Sequence, residues 1–535
     1  MRHAAFLFAC SAALVAAAWW WLGGAVEMPQ PPLAPGEKLY CVSYAPFRGD
    51  QNPLDATTHV EPWQIEEDLA RLKTITGCVR TYSIEHGLDQ VPEIARRQGL
   101  KVLQGLWLSS NAEKNRTQIE TVVALAKRYP NVISAIVVGN EVLLRGELSA
   151  TDLGNIIRNV KAASGLPVTY ADVWEFWLKN RDLLAAVDFV TIHILPYWED
   201  FPIPARTAAA HVDSIRRMVG GQLPGKDILI GEVGWPSAGR MREGALPSRS
   251  TQALVMHEVL AAAKRGQYRA NLIEAFDQPW KRRLEGTVGG QWGLFASGAS
   301  EPKFTWGAPV SDHPLWRWQA AGGVAFAALV FGAAWIAGRA PRAAVPSFAL
   351  WVGIAATATA GGILIGLVSE NAWLESFGIG GWIRSVVMVG TALAAPLVGA
   401  ASLASGVPVP AFARVLGRGA DRPSDPLALA LGSVLVVTTV IALQAAFGLV
   451  FDPRYRDFPA APLTAALVPF LVLVVLHAPV KAPRQTAETI AAATLAAGAV
   501  YIVLNEGLAN WQALWFGVAL VGLAFTLLRS RGAQS

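Results

Sequence analysis

Ile228-Leu-Ile-Gly-Glu-Val-Gly-Trp-Pro-Ser237 joins a short apolar run to a carboxylate and then to a turn. A strand buried on both faces reads as a continuous apolar run rather than an alternating one. Glu232 then stands at the C-terminal tip of such a strand, which is where β/α barrels carry their chemistry. A second stretch repeats the arrangement. Ala135-Ile-Val-Val-Gly-Asn-Glu-Val142 is an apolar run that ends in Asn140 and Glu141.

Outward from these two strands, residues 39–310 alternate strand and helix patterns. Apolar runs at Leu39–Ala45, Cys78–Tyr82, Lys101–Leu108, Val132–Val138, Pro167–Ala171, Phe189–Ile194, Ile228–Gly231 and Leu272–Phe276 make eight candidate strands. Amphipathic segments lie between them at Trp63–Thr76, Asp89–Gln98, Arg116–Tyr129, Ser149–Ser164, Ala205–Val219 and Arg249–Arg265. Several open on Ser, Thr or Asp, whose side chains cap free N–H groups at a helix start. Eight β/α units in this length predict an α/β fold, a (β/α)8 TIM barrel. A doubly wound open sheet would carry a Gly-rich phosphate loop after its first strand, and none is present.

The chain has 535 residues, 53% of them hydrophobic and only 16% charged. A soluble domain carries about 25% charged residues, so part of this chain is built for lipid. The change in composition falls near residue 315. Beyond it, apolar segments at 318–338, 346–368, 381–404, 426–450, 461–478, 487–504 and 510–528 are each long enough to span a bilayer. They predict an all-α polytopic transmembrane domain of seven helices over 316–530. Residues 1–24 form a further apolar segment, an uncleaved anchor in preference to a signal peptide. Residues 25–38 are a Pro-rich linker. In an eight-span topology Arg339, Arg342, Arg414, Arg418, Arg422, Lys481, Arg484, Arg529 and Arg531 fall on the same side as Arg2. The opposite loops carry Glu370, Glu375, Asp452, Asp457 and Glu506, with Arg454 and Arg456 as exceptions. The bias places both termini in the cytoplasm and the barrel outside. His477 and Glu488 lie near segment ends, where interfacial water accounts for them.

The net charge of +5 follows from those loops and does not point to nucleic acid. Three cysteines, Cys10, Cys41 and Cys78, make neither a disulfide framework nor a metal-ligand spacing. The apolar run before Cys10 is too short for a lipoprotein signal. Cys41 and Cys78 sit on the first two strands and are expected as packed thiols, a disulfide being the alternative in an oxidising compartment.

Breaking a glycosidic bond takes an acid to protonate the leaving oxygen and a carboxylate opposite the anomeric carbon. Glu141 and Glu232, at the tips of strands four and seven, both face the centre of such a barrel. At these residues the chain resembles glycoside hydrolase family 17, the β-1,3-glucanases and glucanosyltransferases. The resemblance rests on Val138-Gly-Asn-Glu141, on Gly231-Glu-Val-Gly-Trp-Pro-Ser237, and on Glu274-Ala-Phe-Asp-Gln-Pro-Trp-Lys281 followed by Gln291-Trp-Gly-Leu-Phe295. It implies a retaining mechanism with Glu141 as acid/base, Glu232 as nucleophile, and Asn140 on the sugar 2-hydroxyl. Two departures stand out. His193-Ile-Leu-Pro-Tyr197 replaces an Asn-x-Tyr-Pro-Tyr run, and Gln278 takes the place of an acidic residue.

By position, Tyr44, Arg80, Tyr82, Trp107, Tyr197, Trp198, Trp235, Glu274 and Lys281 are further candidates to line the sugar cleft. Aromatic faces cover sugar rings while polar groups hold hydroxyls. Arg80 is expected to orient the nucleophile and keep it ionised, and a less polar surround is expected to keep the acid/base protonated. The mechanism requires neither metal nor cofactor.

A covalent glycosyl-enzyme can be resolved by water or by a sugar hydroxyl. The multi-span anchor favours a membrane-bound transglycosylase on β-1,3-glucan over a hydrolase. The architecture resembles bacterial β-1,6-glucan synthase-type proteins of periplasmic or cyclic glucan synthesis, in a bacterial inner membrane. A non-catalytic glucan sensor is the reading from another class. No Gln-x-x-Arg-Trp run supports a nucleotide-sugar glycosyltransferase, so a separate glucan synthase would supply the polymer.

Overall fold

The computed structural model describes residues 2–339, 347–419, 422–477, 480–481 and 485–532. Arg342 and Arg484, which entered the loop-charge argument, lie outside the described residues.

Eight parallel strands close into a barrel in sequence order: β1 Cys41–Ser43, β2 Cys78–Arg80, β3 Lys101–Leu106, β4 Ile133–Asn140, β5 Val168–Val173, β6 Val190–His193, β7 Ile228–Val233 and β8 Arg269–Leu272. Every residue of β7 is buried, as its apolar run requires. Helices return the chain between strands, and their starts are locally encoded. Asn111 accepts from the N–H groups of Glu113 and Lys114, Ser149 from that of Asp152, and Ser248 from that of Thr251. The Asn111 cap sets Ala112–Arg128, which begins four residues ahead of the expected Arg116.

The eighth strand departs from its expected place. The run Leu272–Phe276 was expected to form it, yet the strand is Arg269–Leu272. Beyond Leu272 the next strand, β1, is nearly exhausted, because it ends at Ser43. The backbone keeps one bond to each neighbouring strand, Ile273 N–H to Val233 O at 3.0 Å and Ala275 N–H to Ser43 O at 2.9 Å, and pairs otherwise with a returning segment. Leu294 N–H donates to Glu274 O at 2.8 Å and Phe295 N–H to Ala275 O at 2.9 Å. The cysteines also differ from expectation. Cys41 and Cys78 are joined in a disulfide rather than packed as free thiols. The β1–β2 register pairs Val42 with Val79, so the preceding residues lie side by side.

Two compact units divide the described chain. One holds Val26–Gly239 and Gly244–Val310, the barrel. The other holds Met1–Ala25, Arg240–Glu243 and Ser311–Ser535. The second unit is helical. Its helices His3–Leu22, Trp316–Ala337, Phe348–Glu375, Gly378–Ser405, Pro426–Phe451, Thr486–Glu506 and Trp511–Arg529 are the seven, among the described residues, long and apolar enough to cross a membrane. The segment expected at 461–478 is the shorter apolar helix Ala460–Leu476. Gly323 and Gly362 let two of these helices touch, since a Cβ on Gly323 would stand 2.1 Å from Gly362 O. Glu488 is not held by interfacial water as expected. It is 3% exposed and accepts from the Phe412 N–H at 3.1 Å. In the same unit Arg240 pairs with Glu506.

Candidate active site

Both glutamates stand where their strands end at the C-terminal mouth of the barrel. Glu232 is in β7 beside His193 of β6, its register partner. The neighbouring Gly231 is required by the crowding there, for a Cβ would lie 2.3 Å from Thr191 Cγ2 and 3.2 Å from the His193 ring. Glu141 follows β4 with a left-handed backbone, φ 53°. Its N–H donates to Ala171 O at 2.7 Å on β5, which holds the turned backbone in place.

The two carboxylates and the His193 ring each place one atom within 4.8 Å of the others. An inverting pair stands about 6.5–9.5 Å apart to admit a water, whereas a retaining pair is about 5–5.5 Å apart. One oxygen of each carboxylate lies within 4.8 Å of the other, shorter than the separation of an inverting pair. Arg80, 1% exposed, donates from Nη1 to Glu232 Oε1 at 3.0 Å and to Gly231 O at 2.8 Å, and from Nη2 to Asn140 Oδ1. One guanidinium thus ties the tips of β2, β4 and β7 together. Tyr82 Oη donates to the same Glu232 oxygen at 2.9 Å. Asn271 of β8 donates to Gly231 O at 2.7 Å from the other side. Arg80 and Tyr82 thus fix one Glu232 oxygen, while Arg80 and Asn271 fix the Gly231 carbonyl before it. Arg80 also supplies, at that Glu232 oxygen, the positive charge that a cation would bring.

Glu141 is more open, with its side chain 24% exposed. Burial pushes its carboxyl up, but the His193 hydrogen bond and charge, then Arg145 and Arg80, outweigh burial and hold it below the usual carboxylate value. The expectation of a less polar surround for the acid/base is therefore corrected: a histidine and two arginines stand around it.

The remaining candidates fall into two groups. Trp107, Trp198 and Lys281 are partly exposed. The Arg145 guanidinium covers Trp107 at 4.1 Å, and Trp198 lies near-parallel to Trp292 at 6.4 Å. Tyr44, Tyr197 and Trp235 are fully buried. Tyr44 Oη donates to Asp68 at 3.0 Å, the Trp235 indole N–H donates to Leu246 O at 3.0 Å, and Tyr197 packs edge-on against Trp198, Trp235 and Trp292. These three support the wall of the cleft and offer no face to a sugar ring, which corrects their expected place. Glu274 is 1% exposed and bound to Lys281 at 3.0 Å. Burial raises its carboxyl to about 7 against the pull of Lys281.

Two residues that touch this site were absent from the expected set, His193 and Arg145. His193 closes the apolar run of β6 as Glu232 closes that of β7, so the same strand-tip reading would have found it. Arg145 lies past the strand, in a loop where no periodicity points to it.

Residues 41–293 match the sequence model of the BtgE/BtgC glycoside hydrolase domain. Over 254 residues the chain is 25% identical to a glucan 1,3-beta-glucosidase of Saccharomyces cerevisiae, covering 43% of this chain and 81% of that protein. It is 29% identical over 224 residues to a probable beta-glucosidase, btgE, of Aspergillus fumigatus, covering 41% of this chain and 39% of that protein. The match thus spans less than half the length of the Aspergillus relative. Among solved structures, a Rhizomucor miehei beta-1,3-glucanosyltransferase bound to laminaritriose aligns at 24% identity with a TM-score of 0.45, over 50% of this chain and 98% of that one.

Proposed function

We propose that this chain is a membrane-anchored, retaining β-glucan transglycosylase acting on β-1,3-glucan. The observation that carries the reading is the Glu141–Glu232 pair within 4.8 Å, with Glu232 gripped by Arg80 and Tyr82. In the first step a Glu232 oxygen bonds to the anomeric carbon while the glycosidic C–O bond breaks and the leaving oxygen takes a proton from the side of Glu141. In the second step Glu141 draws a proton from the incoming hydroxyl, which displaces Glu232. Asn140, Trp107, Trp198 and Lys281 line the approach and hold sugar hydroxyls and faces, and the buried Glu274 holds Lys281.

The membrane helices favour transfer to a polymer over scavenging, with β-1,6 linkages as the product and a separate glucan synthase as the source of chain. The setting is a bacterial inner membrane, with the barrel on the periplasmic side. The relatives' names favour a second reading, hydrolysis of β-1,3-glucan. Purified full-length protein incubated with laminari-oligosaccharides decides between them: longer or branched products support transfer, and shorter products alone support hydrolysis. Glu232→Ala is expected to abolish both, by about 10³-fold or more. Glucan processing that survives it would make the pair non-catalytic.

A further inference from the structure

Asp172 stands at the tip of β5, a third strand-end carboxylate, and neither chemical step uses it. It is fully buried, and the groups it binds are donors. Oδ1 accepts from the Val173 N–H at 2.8 Å. Oδ2 accepts from the Leu144 N–H at 3.4 Å and from Tyr170 Oη. Tyr170 lies two residues earlier on the same face of β5 and is equally buried. Its hydroxyl accepts in turn from the Leu143 N–H at 3.0 Å.

Leu143 and Leu144 belong to the turn that carries the chain away from Glu141. Glu141 has a left-handed backbone, φ 53°, a conformation that persists only where the surroundings enforce it. The turn closes on itself, with the Arg145 N–H on Glu141 O at 2.9 Å and the Gly146 N–H on Leu143 O at 3.1 Å. Those bonds set its shape but not its place. Of its side chains only Val142 is fully buried, and Leu144 is exposed. The place is set by β5, where Ala171 O takes the Glu141 N–H, Tyr170 the Leu143 N–H and Asp172 the Leu144 N–H. Three successive residues of one strand thus hold three of the four residues from Glu141 to Leu144. Arg145, the next residue, donates to Asn140 O and, at 2.7 Å, to Leu108 O.

We propose that Tyr170 and Asp172 are positioning residues for the acid/base. They hold the turn after β4 by its N–H groups, and so keep the Glu141 carboxyl where the glycosidic oxygen departs and the new hydroxyl arrives. The nucleophile has separate support from Arg80 and Tyr82, so its attack does not depend on this footing. The role rests on Glu141 being the acid/base, as given under Proposed function.

The test uses two near-isosteric variants of the full-length protein. Asp172→Asn turns an amide N–H against one of three donors. Tyr170→Phe takes away the acceptor of the Leu143 N–H and changes no charge, so a loss shared by both variants is positional rather than electrostatic. On laminari-oligosaccharides, whose leaving oxygen must be protonated, kcat/KM is expected to fall about tenfold or more, since a 1 Å misplacement costs about 10²-fold. On 2,4-dinitrophenyl β-laminaribioside, whose leaving group needs no proton, kcat/KM reports attack by Glu232 and is expected to stay within about twofold of wild type. On that substrate kcat should fall, because release of the glycosyl-enzyme by a hydroxyl needs Glu141 as base. Sodium azide should restore it. The azide anion bonds to the anomeric carbon and displaces Glu232 with no proton to remove. An equal fall of kcat/KM on both substrates overturns the proposal, because the whole site would then be disturbed. So does an unchanged kcat/KM on the oligosaccharides, or a kcat that azide leaves low. Glu141→Gln separates the two levels: full activity on both substrates would remove the assignment of Glu141 itself, whatever the β5 variants do.

Discussion

Glu274 shows how burial, rather than a partner, sets the behaviour of a side chain here. It is ion-paired with Lys281, yet its carboxyl rises to about 7 from an ordinary 4.5, because burial outweighs the lysine. The sign of the linkage follows. Between those two values the folded state binds more protons than the unfolded one, so stability falls as pH rises through the window. The difference corresponds to about 3 kcal/mol at 1.36 kcal/mol per unit. Lys281 is also held above its ordinary 10.5, where burial works against Glu274 and loses, so it leaves this window untouched. Glu274→Gln keeps an acceptor for Lys281 and does not titrate. Its thermal midpoint, measured from pH 4.5 to 8, is expected to fall less steeply than that of wild type, by an amount equivalent to about 3 kcal/mol across the range. Parallel curves would show that Glu274 titrates normally. The residue scale is also where sequence reading was weakest. The two glutamates and Arg80 were legible because strand tips announce themselves. The fate of Tyr44, Tyr197 and Trp235 was not, since an aromatic beside a tip can face either the cleft or the wall. The contacts that decide it, Asp68 for Tyr44, Leu246 for Trp235 and three tryptophans for Tyr197, are set by the fold.

At the scale of elements, seven of the eight strands stand where apolar runs put them. The exception, β8, shows what periodicity omits. Leu272–Phe276 has the composition of a strand, but which backbone takes its hydrogen bonds depends on where β1 stops and where Trp292–Phe295 returns. The disulfide belongs to the same class of fact. Strand adjacency in a closed barrel brings Cys41 to Cys78, and composition alone could not choose between thiols and a bond. The close approach of β6 to β7 is the element contact that matters most to the site, because it sets Glu232 beside His193. Gly231→Ala tests it. The added methyl would meet Thr191 Cγ2 at 2.3 Å, so the strands must part. Overpacking of this kind costs about 1–3 kcal/mol, and the loss should appear as a lower thermal midpoint. Turnover should fall further than stability implies, by about 10²-fold, since a 1 Å misplacement near reacting groups has that effect. A drop in midpoint with unchanged kcat would show that the site does not depend on this register.

At the scale of the whole chain, the helices of the second unit supply a charge pattern whose consequence can be measured. Arg339, Arg414, Arg418 and Arg422 follow helix ends on one side of an alternating count, while Glu370, Glu375, Asp452 and Glu506 occupy the other. Positive charge in short loops is retained in the cytoplasm, and acidic residues contribute little to orientation. The count works only if Ala460–Leu476 also crosses. At 17 residues it spans about 25 Å at 1.5 Å per residue, a few ångströms short of a typical hydrocarbon core and within what local thinning accommodates. If it crosses, Arg529 returns to the side of Arg339, and the barrel, between the first and second spans, lies outside. A C-terminal fluorescent-protein fusion, which folds to fluoresce only in the cytoplasm, should therefore be bright. A cysteine placed at the exposed Ser300 of the barrel unit, in a background with Cys10→Ser, should react with a membrane-impermeant maleimide in intact spheroplasts. A dark fusion with a labelled barrel would mean that Ala460–Leu476 does not span. A bright fusion with an unlabelled barrel would reverse the placement of the barrel and remove the case for a periplasmic glucan as its substrate.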